Sequence, residues 1–117
     1  MHLDSRIEIA IALIQRDIRL APRPSQMASL TGLSISHFYA LFRKETGTVP
    51  ATYVRRLRFE RARDLLSNPR LSVKEITHLV GVDDLSHFVR DFKKVYGMSP
   101  RSYRRFTLPF VNDDGAD

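Results

Sequence analysis

Apolar residues along this chain recur at the spacing of helices, and no segment alternates convincingly as a strand would. From Ile7 to Ile18 the apolar positions repeat every three or four residues, until Pro22 and Pro24 interrupt the pattern. The same period returns between later glycine and proline breaks. Together these segments predict an all-α protein of seven helices, which begin at or just after Ser5, Pro24, Ser34, Pro50, Ser72, Asp84 and Ser99.

Residues with capping chemistry mark several of the predicted helix starts. Ser5-Arg6-Ile7-Glu8 and Ser72-Val73-Lys74-Glu75 have the spacing of a capping box, in which two side chains satisfy free backbone amides. Ser34 and Asp84 hold matching places before the third and sixth helices, where each side chain can accept a hydrogen bond as an N-cap. We therefore expect side-chain caps at these four helix starts.

The fourth predicted helix is long and runs from Pro50 to Leu66. Its inward stripe includes Arg58 among apolar residues, and we expect this arginine to form an ion pair that fixes the two halves of the molecule. The full stripe is Val54, Arg58, Phe59, Ala62, Leu65 and Leu66.

An internal repeat is the strongest signal in the sequence. At an offset of fifty, nine residues are identical: Ser36, His37, Phe38, Phe42, Lys44, Gly47, Pro50, Tyr53 and Arg55 match Ser86, His87, Phe88, Phe92, Lys94, Gly97, Pro100, Tyr103 and Arg105. Before the turn the offset becomes forty-nine and pairs Gly32 with Gly81. Each copy reads as a short helix, a glycine turn, a longer helix and a supporting helix. This order predicts two helix-turn-helix units.

Gly32 and Gly81 occupy the tight turn of each predicted unit. A reversal between two helices places one residue at positive φ, which glycine adopts without a steric cost. Ala28, four residues before Gly32, is small where two helices must pass closely, and Thr77 replaces it in the second copy. We expect the second unit to be packed more loosely there.

The charge balance suggests a polyanionic partner. Nineteen Lys and Arg residues oppose thirteen Asp and Glu residues, for a net charge of +6. Asp113, Asp114 and Asp117 lie in the last five residues, so ten acids against nineteen bases leave the chain up to Asn112 with +9. A small basic domain suits nucleic acid. On charge alone, a surface tuned for solubility fits equally well.

Several classes of protein are disfavoured by what the sequence lacks. No apolar run approaches the roughly 18–20 residues that cross a bilayer, and the opening residues do not resemble a secretory signal. Without cysteine there is no disulfide or thiolate metal site. No nucleophile elbow, phosphate-binding glycine loop or metal-ligand spacing points to an enzyme or a cofactor. We expect a cytoplasmic, nucleoid-associated protein without catalytic activity.

Residues 24–106 resemble the DNA-binding domain of the AraC-type transcription regulators of bacteria. Tyr53 to Leu66 is similar to that family's linker helix, and the segment from Gly81 to Arg105 is similar to its C-terminal signature, with Ser86-His87-Phe88 and Ser99-Pro100 among the matching residues. Val82 stands where the family usually has Phe. Arg23 stands where the first unit often has a capping Ser or Thr, so we expect the second helix to be less well capped.

This resemblance implies two helix-turn-helix units joined by a linker helix. The expected organisation is a first unit at 1–49, the linker helix at 50–67, a second unit at 68–106 and a flexible acidic tail at 107–117. The third and sixth helices are the implied recognition helices, which would insert into successive major grooves of double-stranded DNA.

The resemblance also places the DNA contacts on these two helices. The implied base-facing residues, which we expect to face outward, are Ser36, Tyr39, Ala40, Arg43, Leu85, Ser86, Val89, Arg90 and Lys93. Arg90 can bond guanine in a bidentate manner, and Leu85, Val89 and Ala40 can meet thymine methyl groups. The expected phosphate-facing residues are Ser34, His37, Lys44, His87 and Lys94. The two histidines fall in separate repeats without a second ligand nearby, so we expect no metal site.

The implied function is sequence-specific transcription regulation at promoter DNA. Activation through RNA polymerase is the commoner role in the family, and repression stays open. An alternative is a protein-interaction adaptor that keeps the fold without specific DNA binding. A small-molecule effector would require a further domain outside this chain, which is either a stand-alone regulator or part of a longer protein.

Overall fold

The computed structural model describes residues 2–108, and over this range the chain forms seven α-helices and no strand. The helices are α1 Ser5–Arg16, α2 Pro24–Leu30, α3 Ile35–Thr46, α4 Pro50–Leu65, α5 Val73–Leu79, α6 Leu85–Tyr96 and α7 Pro100–Thr107. The predicted all-α class is confirmed. The chain divides into two compact units, Met1–Leu57 and Arg58–Asp117. Apart from Thr107 and Leu108, the tail expected at 107–117 lies outside the described residues.

Three of the four predicted caps are confirmed. Ser72 and Glu75 form a reciprocal capping box, with N–O distances of 3.0 and 3.1 Å. The side chains of Ser34 and Asp84 accept from the backbone amides three residues later, at 3.1 and 2.9 Å. Each side chain replaces a partner that the first helical turn lacks.

The cap expected at Ser5 is wrong, because Asp4 is the N-cap of α1 and Ser5 is its first helical residue. The Asp4 carboxylate accepts from the backbone amide of Arg6 at 2.9 Å and pairs with the Arg6 guanidinium at 3.0 Å. These bonds hold the pKa of Asp4 below its usual value. The backbone amide of Asp4 in turn donates to the Glu45 carboxylate of α3. Arg23 has no side-chain bond of this kind, although the Gln26 side chain accepts from its amide at 2.9 Å.

Both predicted turn glycines have positive φ, 74° at Gly32 and 86° at Gly81. Ala28 is buried beside the first turn as expected. Thr77 is also buried, and its hydroxyl donates to the Val73 carbonyl oxygen at 2.8 Å. The larger residue is therefore accommodated in the second unit with its polar atom satisfied, and the expected loosening is not apparent at this position.

The core of the first unit is formed by α1, α2 and α3, with the beginning of α4 packed against it. Phe38 and Phe42 are fully buried, and the ring of Tyr53 meets Phe42 edge-on at 5.4 Å. The buried members are Ile7, Ala10, Ile14, Met27, Ala28, Phe38 and Phe42. This cluster holds α3 by one face and leaves its other face exposed.

The core of the second unit repeats this arrangement with different residues. Phe88 and Phe92 of α6 are buried, and Tyr103 of α7 meets Phe92 edge-on at 5.9 Å. The buried members are Phe59, Ala62, Leu66, Val73, Ile76, Val80, Phe88 and Phe92. The Phe92–Tyr103 pair corresponds to Phe42–Tyr53 at the offset of fifty that the sequence repeat shows.

Burial extends the repeat into helices where the sequence shows little identity. In α1 the buried residues Ile7, Ala10 and Ile14 have the same spacing as Phe59 and Ala62 of α4 and Leu66 directly after it. The second half of α4 therefore plays in the second unit the part that α1 plays in the first. The first half of α4, with Tyr53, corresponds to α7. One helix thus supplies the last element of one unit and the first element of the next.

Arg58 lies at the start of the second unit, where it is partly buried. Burial lowers the pKa of its guanidinium, and the charge of Asp83 partly offsets this effect. Asp83 belongs to the turn before α6, so the acidic neighbour of Arg58 lies in its own unit.

Arg104 of α7 is a fully buried arginine, 1% exposed. Its Nε donates to the Leu66 carbonyl oxygen at 3.1 Å, and its Nη2 donates to those of Leu71 and Asn68 at 2.5 and 3.4 Å. These carbonyls belong to the segment after α4, where helical partners run out. The guanidinium of α7 therefore stabilises the segment that connects α4 and α5, which is distant from it in sequence. Val54 occupies the equivalent place in the first unit.

Candidate nucleic-acid interface

The exposed face of α3 is formed by small, aromatic and basic residues opposite the buried phenylalanines. The four predicted base-facing residues of this helix are exposed, as expected: Ser36, Tyr39, Ala40 and Arg43. Arg43 is the basic member of this set and lies in the last turn of α3. The first two turns of this face therefore offer hydroxyl, phenol and methyl groups to a partner.

The exposed face of α6 is more strongly basic. Ser86, Arg90 and Lys93 are exposed, as predicted. The guanidinium of Arg90 presents several donors in a planar fork, which suits the two acceptors on the major-groove edge of guanine. The helices α3 and α6 thus present different chemistry on equivalent faces.

Leu85 and Val89, which we expected to face outward, are half-buried and pack against the core of the second unit. They lie on the flank of α6 beside Phe88 and Phe92 rather than at the centre of its exposed face. Helical spacing alone does not distinguish flank from face when the neighbouring elements are not known. The surface that these two side chains offer to a partner is correspondingly small.

The predicted phosphate-facing residues are all exposed and lie near the ends of α3 and α6. Ser34 accepts the amide hydrogen of His37, which leaves its own hydroxyl hydrogen available for donation. Lys44 and Lys94 lie in the last turns of the two helices, where a cation also interacts favourably with the helix dipole.

His87 differs from His37 in its contacts, although the repeat makes them equivalent. The Nε2 atom of His87 lies 2.9 Å from Oδ2 of Asp91, one helical turn further along α6. Leu41 takes the place of Asp91 in the first unit, and the acid within electrostatic reach of His37 is Asp4 at the start of α1.

Sequence reasoning missed Asp91 and Arg104 as residues that organise the second unit. The repeat contained a signal for both, since each charged residue stands where the first copy has a leucine or a valine. A charge at a position that is apolar in the other copy indicates a buried polar contact, because an unpaired charge would be costly there.

Among residues 2–108, no group of three or more His, Asp or Glu side chains is arranged to hold a metal ion. Within the same range, no helix is both long and apolar enough to span a bilayer.

Comparison with known proteins places this geometry among transcription regulators. A family model described as a helix-turn-helix domain matches residues 27–105. The Msm operon regulatory protein of Streptococcus mutans is 37% identical over 83 residues, which cover 71% of this chain and 30% of that protein. The chain spans 30% and 36% of the length of the first two curated relatives, and 61% of that of an operon activator of Pseudomonas putida.

Two solved structures share the fold. A transcriptional regulator of Chromobacterium violaceum, described as containing an AraC-type DNA-binding domain, has a TM-score of 0.80 and 27% identity over 90% of this chain and 95% of that one. The DNA-binding domain of AdpA, solved in complex with a target DNA, has a TM-score of 0.80 over 90% of this chain and 97% of that one. Its identity is 23%, so it supports the fold alone.

Proposed function

Because this chain belongs to the AraC-type helix-turn-helix family, we propose that it binds double-stranded promoter DNA in a sequence-specific manner and regulates transcription. The observation that carries this proposal is the repeated arrangement of α3 and α6. Each helix is capped at its start, anchored by two buried phenylalanines and basic in its last turn. A helix held in this way can enter a major groove with its exposed face toward the bases.

In this proposal α3 and α6 read different bases. Arg90 and Lys93 contact acceptors such as those of guanine, and Ser86 lies beside them. On α3, Ala40 and Tyr39 favour apolar contact with thymine methyl groups, while Ser36 and Arg43 add hydrogen bonds. Leu85 and Val89 contribute only through their exposed edges.

Phosphate contacts would fix the register of each recognition helix on the duplex. We assign this role to Lys44 and Lys94 at the ends of the two helices, and to Ser34 and His37 at the start of α3. Their exposure and the net positive charge of the chain support the assignment. Such contacts carry little sequence information, so they add to the affinity for any DNA.

Activation is the regulatory outcome that we propose, with RNA polymerase as the protein partner. Relatives of this chain are named transcriptional activators, among them one of a Pseudomonas putida operon. The proposed place of action is the nucleoid. We propose no catalytic activity and no cofactor, and a small-molecule effector only where a further domain accompanies this one.

Selection from a random-sequence duplex library tests the proposal and identifies the operator in the same experiment. We expect enrichment of a motif with two conserved segments, which then competes for binding far better than a scrambled duplex in a gel-shift assay. A matched variant with Arg43→Ala and Arg90→Ala should keep its helical circular dichroism and lose the preference. A folded wild-type protein that enriches no motif would support the adaptor alternative instead.

A further inference from the structure

Asp91 is an acidic residue on the buried side of a proposed recognition helix. Its side chain is 12% exposed, and the equivalent residue of α3 is Leu41. Burial of a carboxylate costs free energy unless hydrogen bonds compensate it. A negative charge on a helix that approaches DNA also repels the phosphates. Leu41 of the first unit avoids both costs, so we expect Asp91 to have a function that compensates for them.

The contact with His87 indicates that role. Oδ2 of Asp91 lies 2.9 Å from Nε2 of His87, whose side chain is 57% exposed. A carboxylate oxygen accepts, so Nε2 carries the hydrogen of this bond. The bond limits the rotation of the imidazole. In the neutral imidazole, this bond leaves Nδ1 as an acceptor.

We propose that Asp91 is a positioning residue that holds His87 for base recognition, with Nδ1 accepting a hydrogen bond from the exocyclic amino group of an adenine or a cytosine. These amino groups are the donors on the major-groove edges of bases. A phosphate oxygen has no hydrogen to donate, so it does not match Nδ1 of the neutral imidazole. His87 is therefore assigned to base reading rather than to the phosphate contact that the sequence suggested. This inference rests on the proposed DNA-binding function.

The direction in which Asp91→Leu changes the affinity for DNA separates this role from simple electrostatics. Asp91→Leu copies the residue of the first unit, so we expect the variant to fold, and its helical circular dichroism and melting temperature check this. Removal of a negative charge by itself strengthens binding to DNA. Loss of a positioned His87 weakens it instead, by about twofold to tenfold at the selected operator.

The decisive experiment compares the wild-type protein and five variants on the selected operator and on operators changed at single base pairs. Asp91→Leu and His87→Ala should each lower the affinity and lose the preference at the same adenine or cytosine position. Asp91→Asn, whose amide oxygen still accepts from Nε2, should retain most of that preference. The double variant of His87→Ala and Asp91→Leu should bind no more weakly than His87→Ala. In the double variant, Asp91→Leu has no positioned His87 left to disturb. His37→Ala, the equivalent change in the first unit, should weaken binding to all sequences alike and leave the preference at this position intact.

Tighter binding by Asp91→Leu, or an unchanged preference at every base pair, would overturn the inference. A loss of equal size on all sequences would also overturn it, since it would indicate a backbone contact. The wild-type protein in the same assay tests the proposed function separately. If the wild type shows no sequence preference, the proposed function fails and the inference fails with it.

Discussion

Arg104 illustrates what a single buried charge does in the second unit. Its guanidinium donates to three carbonyl oxygens of the segment after α4 and has 1% of its surface exposed. No glycine follows α4 to end it in the left-handed conformation, so these carbonyls depend on a donor from α7.

Arg104→Met should therefore destabilise the protein by about 3 kcal/mol, because buried carbonyls lose their donor while the apolar stem is largely kept. Urea denaturation followed by circular dichroism measures the change. Arg61→Met is the control at an exposed arginine of α4, and should cost roughly 0.5 kcal/mol or less. Equal urea midpoints for the two variants would contradict the role of Arg104 in stabilising the segment after α4.

Arg90 and the two lysines at the helix ends should differ in the kind of binding that they support. Arg90→Ala should cost about 1–3 kcal/mol at one base pair and relax discrimination there. Lys44→Ala and Lys94→Ala, as phosphate contacts, should weaken binding to all sequences alike. Competition titrations with single-base-pair operator variants measure both effects. If Arg90→Ala left the sequence preference untouched, its assignment as a base reader would be wrong.

At the scale of elements, the glycine turn between α2 and α3 sets the path of α3, the first of the two proposed recognition helices. Gly32 has a φ of 74°, and a Cβ built there meets no atom within 4 Å. A substitution at this position therefore tests backbone strain without a steric clash.

Gly32→Ala should destabilise the first unit by about 1–2 kcal/mol, because the left-handed conformation is unfavourable for alanine. Gly32→Asn is the matched control, since asparagine adopts this conformation more readily. We expect the asparagine variant to melt at a temperature between those of the wild type and the alanine variant. An alanine variant as stable as the wild type would show that the turn tolerates another conformation.

At the scale of the whole molecule, the number of phosphates that the two units neutralise controls how affinity depends on salt. If both units neutralise phosphates, the logarithm of affinity should fall with the logarithm of salt concentration with a slope of roughly −5 or steeper. Fluorescence anisotropy with a labelled operator, over a range of salt concentrations, measures this slope. Lys44→Ala combined with Lys94→Ala should reduce it. A nearly flat dependence would contradict the phosphate contacts.

We expect the continuous helix α4 to limit the DNA spacings that one chain can bridge. Its 16 residues make a helix about 24 Å long at roughly 1.5 Å per residue. Insertion of five base pairs between the two segments of the operator rotates one segment by about half a turn of DNA. After this insertion we expect footprinting to show loss of protection over one segment. Insertion of ten base pairs keeps both segments on the same face of the duplex, so it tests the effect of distance alone. Full protection of both segments after the five-base-pair insertion would contradict simultaneous reading by one chain.

The sequence by itself determined the order of helices, most of their caps, the two glycine turns and the family. These features depend on neighbouring residues, as Ser72 with Glu75 and the positive φ of Gly32 illustrate, and local chemistry can be read from a few positions. The repeat added long-range information because identical phenylalanines marked the same buried face in both copies.

Only the tertiary structure decided which charged residues are buried and what satisfies them. Arg104 bonds to carbonyls 33 to 38 residues away, and the amide of Asp4 bonds to the side chain of Glu45, 41 residues further on. The half-burial of Leu85 and Val89 likewise depends on the core that packs beside α6. Burial is set by elements brought together from distant parts of the chain, so helical spacing alone could not assign these positions.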